Sequence, residues 1–474
     1  MLTKQPNLLI LLADDQRFDT LGAINNPTIK TPNLDRLAAS GTVFTHAHIQ
    51  GGTCPAVCMP SRAMLHTGRN LFGLKGEGQS IPREHTTLGQ LLWNSGYHTF
   101  GTGKWHNGVE SFARGFNDGA EIFFGGMADH WNVPACDFDG SGKYDKARPF
   151  IRDAQKSNKV EFRHLDHIRP GVHSTRLFSD AAIKFFDVVD PDHPFFGYVS
   201  FMAPHDPRTM PQKYYDLYDP AEIELPPNFQ PEHPFDTGAL RIRDEMLAAF
   251  PRDPEEIRRH IHEYYAMISH LDAAVGRILD ALEKTGEADN TLILFSSDNG
   301  LAVGQHGLMG KQNLYDHSVR VPLIFSGPGV PEGRQVSDLV YLQDIFPTLS
   351  EMLHVPAPES LQGQSFASAF ATGQEPQAAR SPREALYLAY ADSIRGLTTG
   401  RYKLIEYAAA GTQLFDLEQD PWEQNNLVED PAHADLLQKL RRQLTQMARD
   451  QETPDYHNSR GFWESRPDLP DGIC

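Results

Sequence analysis

Four apolar runs in this 474-residue chain end in residues that can do chemistry. Asp14 and Asp15 close the run NLLILLA (residues 7–13), and Asp298 and Asn299 follow NTLILF (290–295). Lys104 and His106 come just after residues 97–101, and His205 just after PFFGYVSF (194–201). Asp14, Asp15, Asp298 and Asn299 are hard oxygen donors. Adjacent carboxylates repel unless a cation sits between them, and an all-oxygen set suits calcium or magnesium. Taken singly, Asp-Asp and Asp-Asn-Gly are ordinary turns. Two such turns, each ending a very apolar strand, favour a metal site. Lys104, His106, His205 and Lys311 (in GKQN, 310–313) could hold an anion and move protons. The two sets together describe a site for an oxyanion ester, with metal and lysines on the anion and histidines handling protons.

Cys58 belongs to the stretch VCMPSRAMLHTGR (57–69). The other cysteines are Cys54, Cys136 and Cys474. That is neither a disulfide framework for a chain of this size nor a zinc ribbon, which needs a second close pair. Cys58 is open to five readings: a small core residue, half of a disulfide, a metal ligand, a thiolate nucleophile, or a precursor of another group. Pro60 fits the first turn of a helix. Cys58 then lies near a helix N-terminus, where N–H groups and the dipole favour anions, and Arg62 is placed to point back at it. Those surroundings suit a thiolate of low pKa. Soft sulfur beside carboxylates and a hard cation is nevertheless a poor match. An oxygen at this position fits better.

The elements that must position these residues alternate. Strands are expected at 7–13, 43–44, 97–101, 194–201, 290–295 and 320–326. Helices are expected at 31–40, 59–65, 87–95, 178–188, 263–283 and 342–353. Alternation of this kind gives a mostly parallel sheet with helices on both faces, an α/β fold. Ligands of such sheets bind beyond the carboxyl ends of the strands, which is where all seven polar residues fall. Beyond residue 375 the pattern changes to short strands at 386–391, 396–399, 402–407 and 412–416, then a helix at about 432–450. This reads as a small C-terminal α+β subdomain with an antiparallel sheet (376–474) after a catalytic α/β domain (1–375). The small, polar stretch 371–382 marks the boundary.

Composition is that of a globular chain, 40% hydrophobic and 22% charged. A net charge of −19 argues against a nucleic-acid partner, which needs a basic face. The first apolar run is too short for a membrane span and, cut by Asp14 and Asp15, lacks the profile of a secretion leader. The chain as it stands reads as cytoplasmic, or periplasmic if a leader has been removed.

The run Cys58-Met59-Pro60-Ser61-Arg62, followed by AMLHTGR, resembles the signature of the type I, formylglycine-dependent sulfatases of the alkaline-phosphatase-like superfamily. The likeness extends through TPNLDRL (31–37), GTGKWH (101–106), FMAPH (201–205), SDNG (297–300), Gly310-Lys311, GRYKL (400–404) and the stretch 414–427. The resemblance implies that a maturation enzyme oxidises Cys58 to formylglycine, an aldehyde. It further implies that Asp14, Asp15, Asp298 and Asn299 bind calcium, or magnesium, together with the modified Cys58. One hydroxyl of the hydrated aldehyde would attack sulfur. Arg62 and Lys104 would hold the hydrate, and Lys311 and the metal would neutralise the sulfuryl oxygens. His205 would protonate the departing alcohol, and His106 would take the proton of the second hydroxyl to expel sulfate.

The motifs do not write the substrate. Residues 106–175 are the expected leaving-group region, with Trp131 and His173 as candidates, and Arg208 lies close after His205. Trp131 could stack on a sugar or serve the core. Arg208 could bind a carboxylate or a second sulfate, or form a salt bridge. A sulfated saccharide is the expected substrate and choline-O-sulfate the small-molecule rival. Phosphonate monoester or phosphodiester hydrolysis on the same scaffold, and a non-catalytic binder of sulfated glycans with unconverted Cys58, are the other readings.

Overall fold

The computed structural model describes residues 4–151, 155–371, 383–409, 411–452 and 457–469. Eight strands form the central sheet: β1 (Asn7–Asp14), β2 (Gly41–Phe44), β3 (His98–Lys104), β4 (Asp118–Phe123), β5 (Phe195–Pro204), β6 (Thr291–Ser297), β7 (Leu323–Ser326) and β8 (Arg334–Val336). Their order is β8-β2-β7-β6-β1-β5-β3-β4. All neighbours are parallel except at β7, which runs antiparallel to both β6 and β2. The run expected at 320–326 is a strand only from Leu323, because Pro322 has no N–H to give to a ladder.

β1 is buried over its whole length, which its unbroken apolar sequence requires of a strand covered on both faces. Leu8, Ile10 and Leu12 face one layer of helices, and Leu9, Leu11 and Ala13 face the other. The first layer includes α2 (Cys58–Thr67), α3 (Leu88–Asn94) and α6 (Ile345–Met352), through Leu65, Leu92 and Phe346. The second includes α1 (Pro32–Ala39), α4 (Ser174–Phe186) and α5 (Pro254–Thr285), through Leu37, Ala182 and Leu271. α5 begins nine residues before the apolar periodicity at 263 suggests. The signal is the cap: the Asp253 side chain accepts the Glu256 N–H at 2.9 Å, with Pro254 in the first turn.

Strands β9 (Leu386–Tyr390), β10 (Ile394–Thr398), β11 (Tyr402–Tyr407) and β12 (Gly411–Asp416) form the antiparallel C-terminal sheet, covered by α7 (Ala434–Gln451). A further helix, α8 (His457–Ser465), and a hairpin of Ala147–Ile151 with Val160–His164 lie outside the sequence expectations. The boundary expected at 371–382 falls almost wholly outside the described residues. The C-terminal sheet also takes in a fifth strand from far upstream, Gly51–Gly52, parallel to β9. Among the described residues no helix is long and apolar enough to cross a membrane.

Gly51 is the stitch between that sheet and the segment leading to Cys58. Its φ is +115°, and a Cβ there would lie 1.9 Å from the Ala389 carbonyl oxygen. Gly51→Ala is therefore expected to cost at least about 2 kcal/mol, read from denaturant melts. An unchanged midpoint would contradict this account of the junction.

Candidate active site

The carboxyl ends of β1, β5, β3 and β6 lie side by side, since Ala13 pairs with Ser297, Asp14 with Pro204 and Gly103 with Ser200. After β1 the chain turns through Asp15 at φ +69°, a conformation that aspartate tolerates. The turn is pinned: Asp15 N–H donates to Asp298 Oδ1 at 3.1 Å, and Gln16 N–H to Ser297 Oγ at 2.8 Å. From α5, Tyr264 O–H donates to the Asp15 carbonyl at 2.6 Å and accepts Arg17 N–H at 2.9 Å. Gly103 lets β3 close on β5, because a Cβ there would lie 1.9 Å from Ser200 O. That approach carries Lys104 into the site.

Cys58 is the first residue of α2, which is buried at every position. Its Sγ is 3.6 Å from Lys104 Nζ and 3.4 Å from His106 Nδ1. Lys104 Nζ also pairs with Asp14 Oδ2. Arg62, one turn along, sends Nε to Asp298 Oδ2 at 2.7 Å and Nη2 to within 3.3 Å of Asp14 Oδ2. Its Nη1 donates to Ser200 Oγ and to the Lys104 carbonyl. Ser61 O–H donates to the Asp298 carbonyl, tying α2 to β6. Lys311 Nζ pairs with Asp15 Oδ1 at 2.5 Å, and Asn299 Nδ2 donates to the same oxygen.

His205 donates Nδ1–H to the Asp206 carbonyl at 2.8 Å. A carbonyl can only accept, so Nε2 is the nitrogen turned to the site, 3.7 Å from Asp15 Oδ2. All six catalytic candidates and all metal candidates therefore converge around Cys58. Asn107 is an addition that its place beside the GKWH run could have signalled: its amide bridges the Met59 and Gly78 carbonyls and holds the loop after β3 against α2. His130 is another, with Nε2–H donating to the His205 carbonyl at 2.9 Å. Nothing in the sequence marks that contact.

The substrate candidates are placed differently. Both nitrogens of buried His173 are engaged: Nδ1 accepts the Thr175 N–H as the cap of α4, and Nε2–H donates to Thr209 O. Burial pushes its pKa down to about 2. Its ring has no nitrogen left for a substrate. Trp131 is half-buried, with its edge against that ring. Arg208 donates Nη1–H to His260 Nδ1 at 3.0 Å and lies over the Tyr264 ring, while its Nε and Nη2 have no hydrogen-bond partner among the described residues.

Electrostatics decide the state of Cys58. Burial pushes the thiol pKa up, and Asp14 and Asp298 add to this against the pull of Lys104 and Lys311. Of the readings open for Cys58, the low-pKa thiolate is disfavoured here as well: Arg62 is turned to the carboxylates, and the thiol stays protonated. Burial resists ionisation of Asp14, but Lys104 and Arg62 hold its carboxyl below the ordinary range. Burial and then Asp14 raise Asp298. Burial, reinforced by Lys104 and Arg62, holds His106 well below its usual pKa, so it is a neutral base.

Three carboxylates face three cations here, yet among the described residues Asp14 Oδ1 and Asn299 Oδ1 are buried without a hydrogen-bond partner. An unsatisfied buried acceptor costs about 1–3 kcal/mol. Two of them at the ends of adjacent strands, beside Asp15 and Asp298, fit a hard divalent cation. Asp14, Cys58 and Asp298 bring ligand atoms within 4.8 Å of one another, as do Asp14, Asp15 and His205.

Residues 6–355 match the family model described as Sulfatase, and residues 304–450 match that described as N-sulphoglucosamine sulphohydrolase, C-terminal. Among curated proteins, an ulvan-active sulfatase of Formosa agariphila is 28% identical over 489 residues, covering 98% of this chain and 87% of that one. An N-acetylglucosamine-6-O-sulfatase of Bacteroides thetaiotaomicron is 25% identical, covering 90% and 83%. A choline-sulfatase of Rhizobium meliloti is 29% identical, covering 91% and 84%.

With its thiol protonated and buried, unconverted Cys58 is expected to react with iodoacetamide at pH 7 at least about tenfold more slowly than the same cysteine in an unfolded peptide. Mass spectrometry of the alkylated peptide reads the rate. Equal or faster labelling would contradict the account.

Proposed function

Because the chain belongs to the formylglycine-dependent sulfatase family, we propose that it hydrolyses the sulfate ester of a sulfated saccharide, through a formylglycine made from Cys58 and with calcium at Asp14, Asp15, Asp298 and Asn299. The observation that carries this reading is the setting of Cys58. A protonated, buried thiol is neither a strong nucleophile nor a hard ligand, yet Lys104, Asp14 and Asp298 surround it. Hydrated formylglycine supplies two hydroxyls on that carbon, one to attack sulfur and one whose deprotonation releases sulfate. Calcium would add positive charge where three carboxylates now balance three cations, so that an anionic ester is attracted.

The residues of the chain divide the remaining work. Lys104 Nζ, 3.6 Å from Sγ, is placed to hold an oxygen at position 58. Arg62 sets Asp14 and Asp298 in register by ion-pairing with both. Lys311 faces the ester oxygens from the Asp15 side. His205 offers Nε2 to the departing oxygen, and neutral His106, 3.4 Å from Sγ, accepts a proton from the position-58 group. The partner implied is a formylglycine-generating enzyme. The N-acetylglucosamine-6-O-sulfatase relative and the half-buried Trp131 support a saccharide leaving group. The choline-sulfatase relative keeps choline-O-sulfate as the rival.

Sulfate release, measured by ion chromatography on defined sulfated sugars, choline-O-sulfate, an aryl sulfate and a phosphonate monoester, separates these readings. Release from a sulfated sugar supports the proposal. Release from choline-O-sulfate alone overturns the saccharide, and faster phosphonate turnover overturns the sulfatase assignment of the site. Cys58→Ala is expected to be inactive. Cys58→Ser, with a single hydroxyl, is expected to stop as a sulfated enzyme; sustained turnover would contradict the two-hydroxyl scheme. Lys311→Ala is expected to lower kcat/KM by about 10²- to 10³-fold. Chelation with EDTA is expected to lower the Tm of the wild type and to leave that of Asp14→Asn nearly unmoved. Equal responses would contradict the metal assignment.

A further inference from the structure

Between β5 and α5 the helical segments are short, from Gln212–Tyr215 to Glu245–Leu247. Three consecutive residues there reach two supports of the site, Arg243 the buried Asp206 and Asp244 and Glu245 the loop around Lys311. Arg243 forms a two-armed ion pair with the buried Asp206: Nη1 donates to Oδ1 at 2.7 Å, and Nη2 donates to Oδ2. Asp206 faces His205 in turn. Its carbonyl accepts His205 Nδ1–H, and its Oδ1 lies 3.5 Å from the same nitrogen.

Asp244 Oδ2 accepts Gln312 Nε2–H at 2.7 Å. That amide also donates to the Pro55 carbonyl, three residues before Cys58, and its oxygen accepts the Lys311 N–H at 2.9 Å. Glu245 is 3% exposed and accepts the N–H groups of Met309 and Gly310, each at 2.8 Å. Arg252 fixes that carboxylate at 2.5 Å and also donates to Gly307 O. Glu245 thus grips the backbone immediately before Lys311.

We infer that Arg243, Asp244 and Glu245 are positioning residues of the hydrolysis. Arg243 sets the His205 ring through Asp206, and Asp244 and Glu245 set the loop that presents Lys311. The inference rests on the roles proposed above for His205 and Lys311. None of the three touches a reacting atom. A bidentate arginine–carboxylate pair fixes geometry as well as charge, and a group misplaced by about 1 Å costs of order 10²-fold in rate.

The two arms have different signatures. As the position-58 oxygen bonds to sulfur and the ester S–O bond breaks, the leaving oxygen takes the electron pair; the doubly protonated His205 ring gives it the Nε2 proton and keeps Nδ1–H on the Asp206 carbonyl. A sugar or alkyl alkoxide needs that proton, whereas 4-nitrophenolate leaves without it. Lys311 meets the sulfuryl oxygens whatever the leaving group. Loss of the Arg243 arm is therefore selective, and loss of the Glu245 arm general.

The test uses the full-length, converted enzyme with 4-nitrophenyl sulfate and with an alkyl or sugar sulfate that the wild type turns over. The variants are Arg243→Ala, Arg243→Lys, Asp206→Asn, Glu245→Gln and His205→Ala, each checked for an unchanged melting profile. For Arg243→Ala and Asp206→Asn, kcat on the alkyl or sugar ester is expected to fall at least about tenfold further than on the aryl ester, with partial recovery in Arg243→Lys. Glu245→Gln is expected to lower kcat/KM on both esters by the same factor, about tenfold. If His205→Ala is selective but Arg243→Ala and Asp206→Asn are not, the Arg243 arm is wrong and the role of His205 stands. If His205→Ala lowers both esters equally, the acid role falls and the Arg243 arm with it. Wild-type kcat/KM in Glu245→Gln overturns the other arm.

Discussion

Three carboxylates, on Asp14, Asp15 and Asp298, are buried within reach of one another at the ends of two adjacent parallel strands. Each is at most 2% exposed. Removing such charges from water costs several kcal/mol per group unless they are paired, so the surrounding structure is organised to compensate. Lys104 comes from β3, Arg62 from α2, and Lys311 from the loop between β6 and β7. Each cation arrives on a different element. The carboxylates therefore specify where three separate pieces of chain must meet, and position 58 lies where they do. Two acceptors remain unpaired even so, which is the structural argument for the proposed cation.

The rest of the molecule serves that arrangement. α5 sets the turn after β1 through the Tyr264 hydroxyl. Gly103 allows two backbones to approach so that Lys104 reaches Asp14. The C-terminal sheet pairs with Gly51–Gly52, a few residues before Cys58, and so braces the start of α2 from outside the central sheet. A second buried network, Lys403 with Asp316 and Glu423, ties β11 to the loop region that follows Lys311. In sequence order a sheet flanked by two helix layers precedes a small sheet, but the small sheet is anchored where the chemistry is proposed to occur.

Much of this was legible in the sequence for a physical reason. A strand buried on both faces must be apolar throughout, so the runs at 7–13, 194–201 and 290–295 stand out, and the polar residues after them fall on one edge. The ends of elements were read less well. β3 runs on to Lys104 because Gly103 adopts a φ of +88° that only the fold reveals. α5 begins at a cap whose following turns are polar, so periodicity missed it. The local signals at Cys58, a helix N-terminus and a nearby arginine, suit a thiolate, but they carry no information on desolvation or on the carboxylates that other strands deliver, and these keep the thiol protonated. Contacts such as Glu245 with Met309 and Gly310 join residues more than sixty positions apart, and no local pattern encodes them.

In the proposed site, oxygen at position 58 completes the ligand set of a hard cation. Calcium titration by calorimetry, on the protein with Cys58 intact and on the protein converted to formylglycine, tests it most directly. The account predicts at least about tenfold tighter binding to the converted protein, because sulfur is a poor ligand for calcium. Equal affinity in the two forms, or tighter binding to the thiol form, would contradict it.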